Sequence, residues 1–180
     1  MAAVAREAGV GKATLFRHFT TPQELIDAVF VDRMDAYVAA TEEALANDDP
    51  WDGFVGYVMA VCEMQAEDRG FATVLTLTFS SAEALEACRT RAYEGFLTLI
   101  ERARNTGHLR TDFVSEDLVL VLMANAGVIS ATARDAPDSW RRLIGHLLRG
   151  FAVPGAPLPP IAPAPSSDEL YRAMARTDTT

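Results

Sequence analysis

The amino-acid sequence predicts an all-α fold, and three observations lead to that prediction. Apolar residues recur with the 3.6-residue period of a helix almost throughout, and no stretch shows the sustained alternation of a half-buried strand. Residues that favour helix starts precede the periodic segments, and glycine, asparagine or proline follows them. Of the 180 residues, 49% are hydrophobic, enough for one ordinary core or for one core with a small satellite domain.

Two short helices are expected at the start of the chain, over about residues 2–8 and 12–18. Gly9 lies where the first helix must end in a left-handed residue, a conformation that glycine adopts without steric cost. Ala5 is small where the two helices must cross closely. The residues expected to point back into a small core are Val10, Leu15 and Phe19. The second helix then presents outward Lys12, Ala13, Thr14, Phe16, Arg17 and His18.

A long third helix follows. Thr20 or Thr21 is the expected N-cap, Pro22 suits the first turn, and Glu24 stands near the capping-box position. One apolar stripe runs along this helix and consists of Ile26, Val29, Phe30, Met34, Tyr37 and Leu45. The sequence Asn-Asp-Asp-Pro at positions 47–50 ends it.

Further helices are expected over about residues 51–67, 71–79, from Ser80 or Ser81 to 105, over 115–134 and after Pro137. The helix over 115–134 is apolar all round and must be covered on every side. Together with the striped helix after Pro137, it has more apolar face than one subunit is expected to cover, which predicts a homodimer. Ordinary internal burial is the alternative. The predicted dimer interface consists of Leu118, Leu122, Trp140, Leu143, Ile144, Leu147, Leu148 and Phe151.

The chain end is rich in proline. Residues 153–167 contain six prolines and predict a semi-rigid extended linker outside the folded core. Residues 168–176 are either a short helix docked on the body or a disordered tail. The predicted organisation is a head with its connecting helix over 1–45, a larger domain over 46–152, and a tail over 153–180.

Composition and charge exclude several classes of protein. No apolar run reaches the ~20 residues of a membrane span, and the first residues do not form a signal peptide, so a cytoplasmic protein with no membrane partner is expected. Cys62 and Cys88 both fall in helical apolar patterns and are expected to be core thiols. The three histidines are far apart in sequence, which predicts no metal site and no cofactor.

The net charge of −9 argues against nucleic acid, but its distribution weakens that argument. Residues 1–20 contain three basic residues and one acidic residue, a net charge of +2, so the body carries −11. Salt screens the body beyond about 8–10 Å, which leaves the head able to approach phosphates.

No enzyme signature is found in the sequence. The string GVGKAT resembles the end of a phosphate-binding loop, but Arg6 replaces its leading glycine and Ala13 replaces its magnesium-binding hydroxyl residue. Triads and paired carboxylates lack a strand scaffold that would hold them in place. We therefore expect a binding protein and not an enzyme.

The run AGVGKATLFRHF, followed by Thr21 and four residues later by Leu25, resembles the helix-turn-helix of TetR-family transcriptional regulators. The resemblance extends over about residues 4–30 and is architectural over 31–151. By position it implies contacts to base edges or neighbouring phosphates from Lys12, Ala13, Thr14 and Arg17. His18 would bind phosphate, whereas Phe16 stands where the family usually has a phosphate-bonding tyrosine. Pro22 replaces a basic residue that commonly touches the DNA backbone.

The resemblance implies a homodimeric repressor on a palindromic DNA operator, released when a small apolar effector binds the larger domain. It places the effector pocket between the helices that begin near residues 51, 83 and 115. The candidate lining is Phe54, Tyr57, Val58, Cys62, Phe96, Met123 and Asn125, with plain core packing as the alternative for each. A dimeric small-molecule- or partner-binding helical protein with a vestigial DNA-binding head is the alternative function.

Met1 falls where the family is already entering the helix before the turn, so the helix that usually precedes it is expected to be missing. Val4, Leu15 and Phe19 would then be partly exposed. Two interpretations stay open: a start placed too late, or a shortened product that binds DNA weakly.

Overall fold

The computed structural model describes residues 1–68 and 83–177, without the side chains at positions 23, 26, 27, 29, 30, 32, 83–85 and 177. Over that range the chain is all-α, as predicted, and its only strand-like feature is an isolated bridge between Leu109 and Ala152. The helices are α1 (Ala2–Glu7), α2 (Lys12–His18), α3 (Pro22–Ala46), α4 (Pro50–Glu67), α5 (Glu83–Asn105), α6 (Ser115–Thr132), α7 (Ser139–Phe151) and α8 (Ser167–Thr177). The helix predicted over 71–79 and the cap at Ser80 or Ser81 lie outside the described residues.

Local capping sets the helix boundaries close to where the sequence predicts them. Thr21 is the N-cap of α3: its hydroxyl accepts from the Glu24 amide at 3.1 Å, and the Glu24 carboxylate accepts from the Thr20 amide at 2.6 Å. Asp49 caps α4 through the amides of Trp51 and Asp52. These side chains satisfy amides that the first turn of a helix leaves without partners.

The main core is formed by α3, α4 and α5, which pack against one another. Its largest buried side chains include Met34 of α3, Trp51 and Phe54 of α4, and Leu99 of α5. The predicted α3 stripe is confirmed at Met34 and Tyr37, which are buried, whereas the side chains at 26, 29 and 30 lie outside the described set.

A glycine allows α5 to approach α3 closely. A Cβ at Gly95 would lie 2.5 Å from Cγ2 of Thr41, which is buried and whose hydroxyl donates to the Tyr37 carbonyl oxygen. Real Cβ atoms do not approach so closely, so the crossing needs a residue without a side chain.

Part of the predicted dimer interface on α7 is wrong, because three of its side chains are buried within their own subunit. Trp140, Ile144 and Leu148 are at most 3% exposed and belong to the same core as α4 and α6. The half-buried Leu143, Leu147 and Phe151 also pack against that core. The three buried side chains have almost no free surface for a partner, so internal burial is the correct interpretation for them. The three half-buried ones keep some exposed surface, and their place in a dimer interface stays a prediction.

Helix α6 was expected to be covered on every side, and the single subunit covers only one face. Leu118 and Val121 are buried, which corrects the placement of Leu118 at the interface, and Leu122 is half-buried against the core. The opposite face exposes Leu120 at 64% and Met123 at 66%. In the described residues, α6 alone meets the length and hydropathy of a membrane-crossing helix, a test that core helices also pass.

The proline-rich segment is docked on the body, which corrects its prediction as a free linker. The Trp51 indole N–H donates to the Pro157 carbonyl oxygen at 2.5 Å, Arg149 to that of Pro159 at 2.7 Å, and Arg142 to that of Ala162 at 2.8 Å. The following residues form α8, which packs on α6 and is held by ion pairs from Arg172 and Arg176 to Asp135. Of the two alternatives for residues 168–176, the docked helix is correct.

Candidate functional site

The turn between α1 and α2 has the geometry that the sequence predicts. Gly9 has a φ of +66°, and its amide donates to the Arg6 carbonyl oxygen at 3.2 Å. The next amide, of Val10, donates to the Ala5 carbonyl oxygen at 3.0 Å. This pair of bonds is the Schellman motif, which ends α1 and turns the chain sharply into α2.

Helix α2 presents a continuous outward surface. Its six predicted contact residues are all exposed, namely Lys12, Ala13, Thr14, Phe16, Arg17 and His18. Leu15 alone in this helix is buried, at 8%, and packs toward α1. Two of the six residues, Arg17 and His18, are basic and lie in the last turn of the helix.

The core of the head is smaller than predicted. In residues 1–20 only Ala5 and Leu15 are buried, while Val10 is 42% exposed and Phe19 is half-buried. The prediction that Val10 points into the core is therefore wrong, because the turn after Gly9 directs it outward. Val4 is 44% exposed, whereas Leu15 is covered.

Helix α3 connects this head to the body and is held at both ends. Thr21 caps its start three residues after α2 ends. At its other end, Arg102 of α5 donates to the carbonyl oxygens of Leu45 and Asn47, the latter at 3.2 Å. The sequence offered no signal for Arg102, since a lone arginine on an exposed helix face is ordinary.

The seven residues predicted for the effector pocket do not line one cavity together. Phe54, Val58 and Cys62 are at most 1% exposed and pack in the main core. Burial raises the pKa of the Cys62 thiol to about 12. Met123 is wrong as a lining residue, because it points outward from α6.

Asn125 uses its amide group inside the protein. It is fully buried on α6, and its Nδ2 donates to the Cys62 carbonyl oxygen at 3.1 Å and to Oε1 of Gln65 at 2.8 Å. These bonds tie α6 to α4.

A cleft of about 360 Å³ opens between α3, α5 and the start of α6. Of the residues predicted for the effector pocket, Phe96 lines this cleft. It forms the floor together with Tyr37 and Leu118, and all three are buried. Its mouth is formed by Tyr93 and Val119, which are about half exposed. The remaining lining residues are Arg89, Thr90, Ser115 and Leu122. Sequence reasoning missed most of this set because the lining comes from three helices that are distant along the chain.

Two buried tyrosines link the floor of the cleft to the core. The Tyr57 hydroxyl donates to the Tyr37 hydroxyl at 2.9 Å, and the Tyr57 ring stacks on Phe96 with centroids 5.2 Å apart. Burial raises the pKa of both phenols, so both are neutral donors near pH 7. Tyr57 therefore lies behind the cleft floor and joins α3, α4 and α5.

Comparisons with known proteins agree with this architecture. Residues 49–153 match the family described as transcriptional regulator SbtR-like, C-terminal domain, and residues 1–29 match the bacterial regulatory proteins of the tetR family. A crystal structure of a TetR transcriptional regulator from Streptomyces coelicolor superposes with a TM-score of 0.55 at 23% identity, covering 84% of this chain and 86% of that one. None of the curated proteins matches the chain.

Because the two chains are only 23% identical, the structural likeness supports the fold alone. One family match covers the head and the other covers the body. The match over the body alone spans more than half of the chain. The chain therefore belongs to the TetR family of DNA-binding transcriptional regulators.

Proposed function

We propose that this chain is a homodimeric repressor whose two α2 helices enter major grooves of a palindromic operator, and which a small effector releases. The observation that carries the proposal is the exposure of all six outward residues of α2 directly after the Gly9 turn. A short helix with a cationic residue near each end suits insertion into a major groove. In this proposal, residues 1–45 bind DNA, residues 46–152 bind the effector and form the dimer, and residues 153–180 are the tail.

The dimer is proposed to form through the outward face of α6. Leu120, Met123, Ala124 and Gly127 are exposed and follow the i, i+3, i+4, i+7 spacing of one helix stripe. The sequence has no charged residue from position 118 to 133. An uncharged stripe of two large and two small residues lets a second copy approach closely, which is favourable for a chain of net charge −9.

Effector release is proposed to act through α3. This helix begins four residues after α2 ends and carries Tyr37 into the floor of the cleft. A ligand shifts the arrangement of the heads only through a difference in its affinity for the bound and released arrangements. A ligand in contact with Tyr37 touches the element whose tilt sets the distance between the two heads.

The proposal is tested by selecting an operator from a random duplex DNA library and measuring binding by fluorescence anisotropy. Selected sequences should be palindromic, with half-sites spaced by about 34–36 Å or a multiple of that distance. Arg17→Ala should weaken binding by about 1–3 kcal/mol, roughly 5- to 150-fold. The matched control is Arg91→Ala, which removes an exposed arginine from α5, far along the chain from the head.

The rival function is a dimeric small-molecule- or partner-binding protein with a vestigial head, and the small head core favours it. Only Ala5 and Leu15 are buried in residues 1–20, so packing stabilises the head weakly. If the library yields no enriched sequence while the chain dimerises and binds ligand, the rival is correct. Equal operator affinity of Arg17→Ala and the unmodified chain would remove Arg17 from the interface.

A further inference from the structure

We infer that the cleft between α3, α5 and α6 binds an uncharged, planar aromatic molecule that donates a hydrogen bond to Tyr93 at the mouth. This inference names the ligand class and therefore rests on the effector-released regulator proposed above.

The size and the lining of the cleft define the body of the ligand. A volume of about 360 Å³ lies within the ~300–1,000 Å³ range of small-molecule sites. Phe96 and Leu118 are buried on the floor, and the half-buried Leu122 also belongs to the lining. The Phe96 ring stacks on the buried Tyr57 ring with an angle of 26° between the two planes. An aromatic ring held in this way on an apolar floor suits a flat aromatic ligand.

The charges around the cleft favour an uncharged ligand. Arg89 is the one charged residue among the described residues that line it, and its Nη2 already donates to the Glu86 carboxylate at 2.8 Å. An anionic ligand would compete with Glu86 for this guanidinium and would approach the exposed Glu116 carboxylate beside the lining residue Ser115. A cationic ligand would lose its water without gaining a carboxylate from these lining residues.

The direction of the hydrogen bonds at the mouth defines the polar end of the ligand. The Ser115 hydroxyl donates its only proton to the Glu116 carboxylate at 3.0 Å. The Tyr93 and Ser115 hydroxyl oxygens are 3.2 Å apart, so Tyr93 is the donor in that contact. Both protons are then used, and the Tyr93 oxygen offers a ligand only its capacity to accept.

A ligand with an N–H or O–H group matches this acceptor, whereas a ligand with acceptors alone does not. The Thr90 hydroxyl, also in the lining, is able both to donate and to accept, so it is compatible with the same ligand.

The donor is tested by isothermal titration calorimetry of the full chain with indole and benzofuran, which have nearly the same shape and differ in the N–H group. Indole should bind roughly fivefold more tightly, as one neutral hydrogen bond contributes. Tyr93→Phe removes the accepting oxygen and should remove most of that preference while benzofuran binds as before. Tyr171→Phe changes an exposed tyrosine of α8 outside the lining and is the matched control, which should keep the preference.

The absence of charge is tested with indole-5-carboxamide and indole-5-carboxylate, which differ in charge and hardly in shape. The uncharged amide should bind on the order of tenfold more tightly, because a carboxylate loses its water in an apolar cleft whose guanidinium is already paired.

A further variant tests the location. Leu122→Trp enlarges a side chain of the lining and should abolish binding of indole and benzofuran, whereas Leu97→Trp, at an exposed position of α5 outside the lining, should not. Far-ultraviolet circular dichroism checks the folding of both variants.

Several results would overturn the inference. They are binding of neither indole nor benzofuran, equal affinity for the two, an indole preference that Tyr93→Phe leaves unchanged, a carboxylate that binds as tightly as the amide, and binding that Leu122→Trp does not alter.

Operator binding measured on the same variants separates this inference from the function on which it rests. If operator binding depends on Arg17 but neither indole nor benzofuran binds, the ligand class is wrong and the regulator function stands. If the probes bind as expected but no operator is enriched, the ligand site stands without the repressor.

Discussion

Cys62 lies in the core of the body on α4 with no exposed surface, and its burial has a consequence for stability at high pH. Transfer of a thiolate into an apolar environment is unfavourable, which is why the pKa of this thiol is raised to about 12. In the unfolded chain the same thiol has a pKa near 8.5–9. The folded state therefore keeps a proton that the unfolded state releases as the pH rises.

This difference predicts a loss of stability in alkaline solution. Stability that the neutral thiol contributes is fully present below about pH 8.5 and is lost as the pH rises toward 12. Between pH 8 and pH 10, the free energy of unfolding should fall by roughly 1.5 kcal/mol more in the unmodified chain than in Cys62→Ala. Urea denaturation of both proteins at both pH values measures this difference in the free energy of unfolding. Cys88→Ala is the control: if it removed the extra loss instead, the assignment to Cys62 would be wrong.

Asn125 shows what residue-level reasoning from the sequence achieves and where it stops. A single amide in the apolar run of α6 indicates a special position, because a buried polar group needs partners. The sequence therefore singled out the right residue. The sequence placed it in the lining of an effector pocket and did not predict its bond to Gln65, which is 60 positions away, because no local pattern shows that the two amides meet.

At the scale of elements, the crossing of α3 and α5 depends on Gly95. Glycine in a helix interior costs about 1 kcal/mol relative to alanine, so its presence there needs a reason. The reason is the contact with Thr41, whose methyl group is held by its buried position and by the hydrogen bond of its hydroxyl. Added volume at a packed crossing forces the backbones apart.

We therefore expect opposite effects from two alanine substitutions. Gly95→Ala should lower the free energy of unfolding by about 1–3 kcal/mol, the usual cost of overpacking. Gly56→Ala is the matched control on α4: a Cβ there meets nothing within 4 Å, so helix propensity alone should raise stability by up to about 1 kcal/mol. Denaturant titration measures both. If Gly95→Ala were also stabilising, α3 and α5 would not be in tight contact.

Helix boundaries were predictable, and the partners of the helices were less so. Thr21 is a local signal that operates within one turn, and α3 begins where it predicts. Periodicity shows which face of α7 is apolar, but not that α4 and α6 of the same chain cover it. The proline-rich segment docks through its own carbonyl oxygens, which carry no side-chain signal. The donors are Trp51, Arg142 and Arg149, distant residues whose pairing only the fold reveals.

For the whole molecule, the distribution of charge limits how it can meet DNA. Residues 1–20 carry +2 and the remainder −11, so the body is repelled by phosphates and the head alone is attracted. Two heads on one dimer double that local attraction without adding positive charge to the body. Operator binding by such a chain thus depends on the dimer more than it would in a basic protein.

The dimer is proposed to form through the uncharged face of α6, and a charge placed on that face tests the proposal. Met123 is 66% exposed in the single subunit, so Met123→Glu should leave folding intact. In the proposed interface the same carboxylate would be buried without a partner, which costs on the order of 3 kcal/mol and weakens dimerisation roughly a hundredfold. Sedimentation velocity should then show a shift from twice the chain mass to the chain mass.

Leu97→Glu is the matched control, because Leu97 is an exposed apolar residue of α5, at 42%, outside the α6 stripe. It should sediment like the unmodified chain. Operator affinity should fall with Met123→Glu and not with Leu97→Glu, since a monomer presents one head to a two-fold operator. A Met123→Glu protein that stays dimeric would show that the two subunits meet through another surface, and that the exposed stripe of α6 has a different partner.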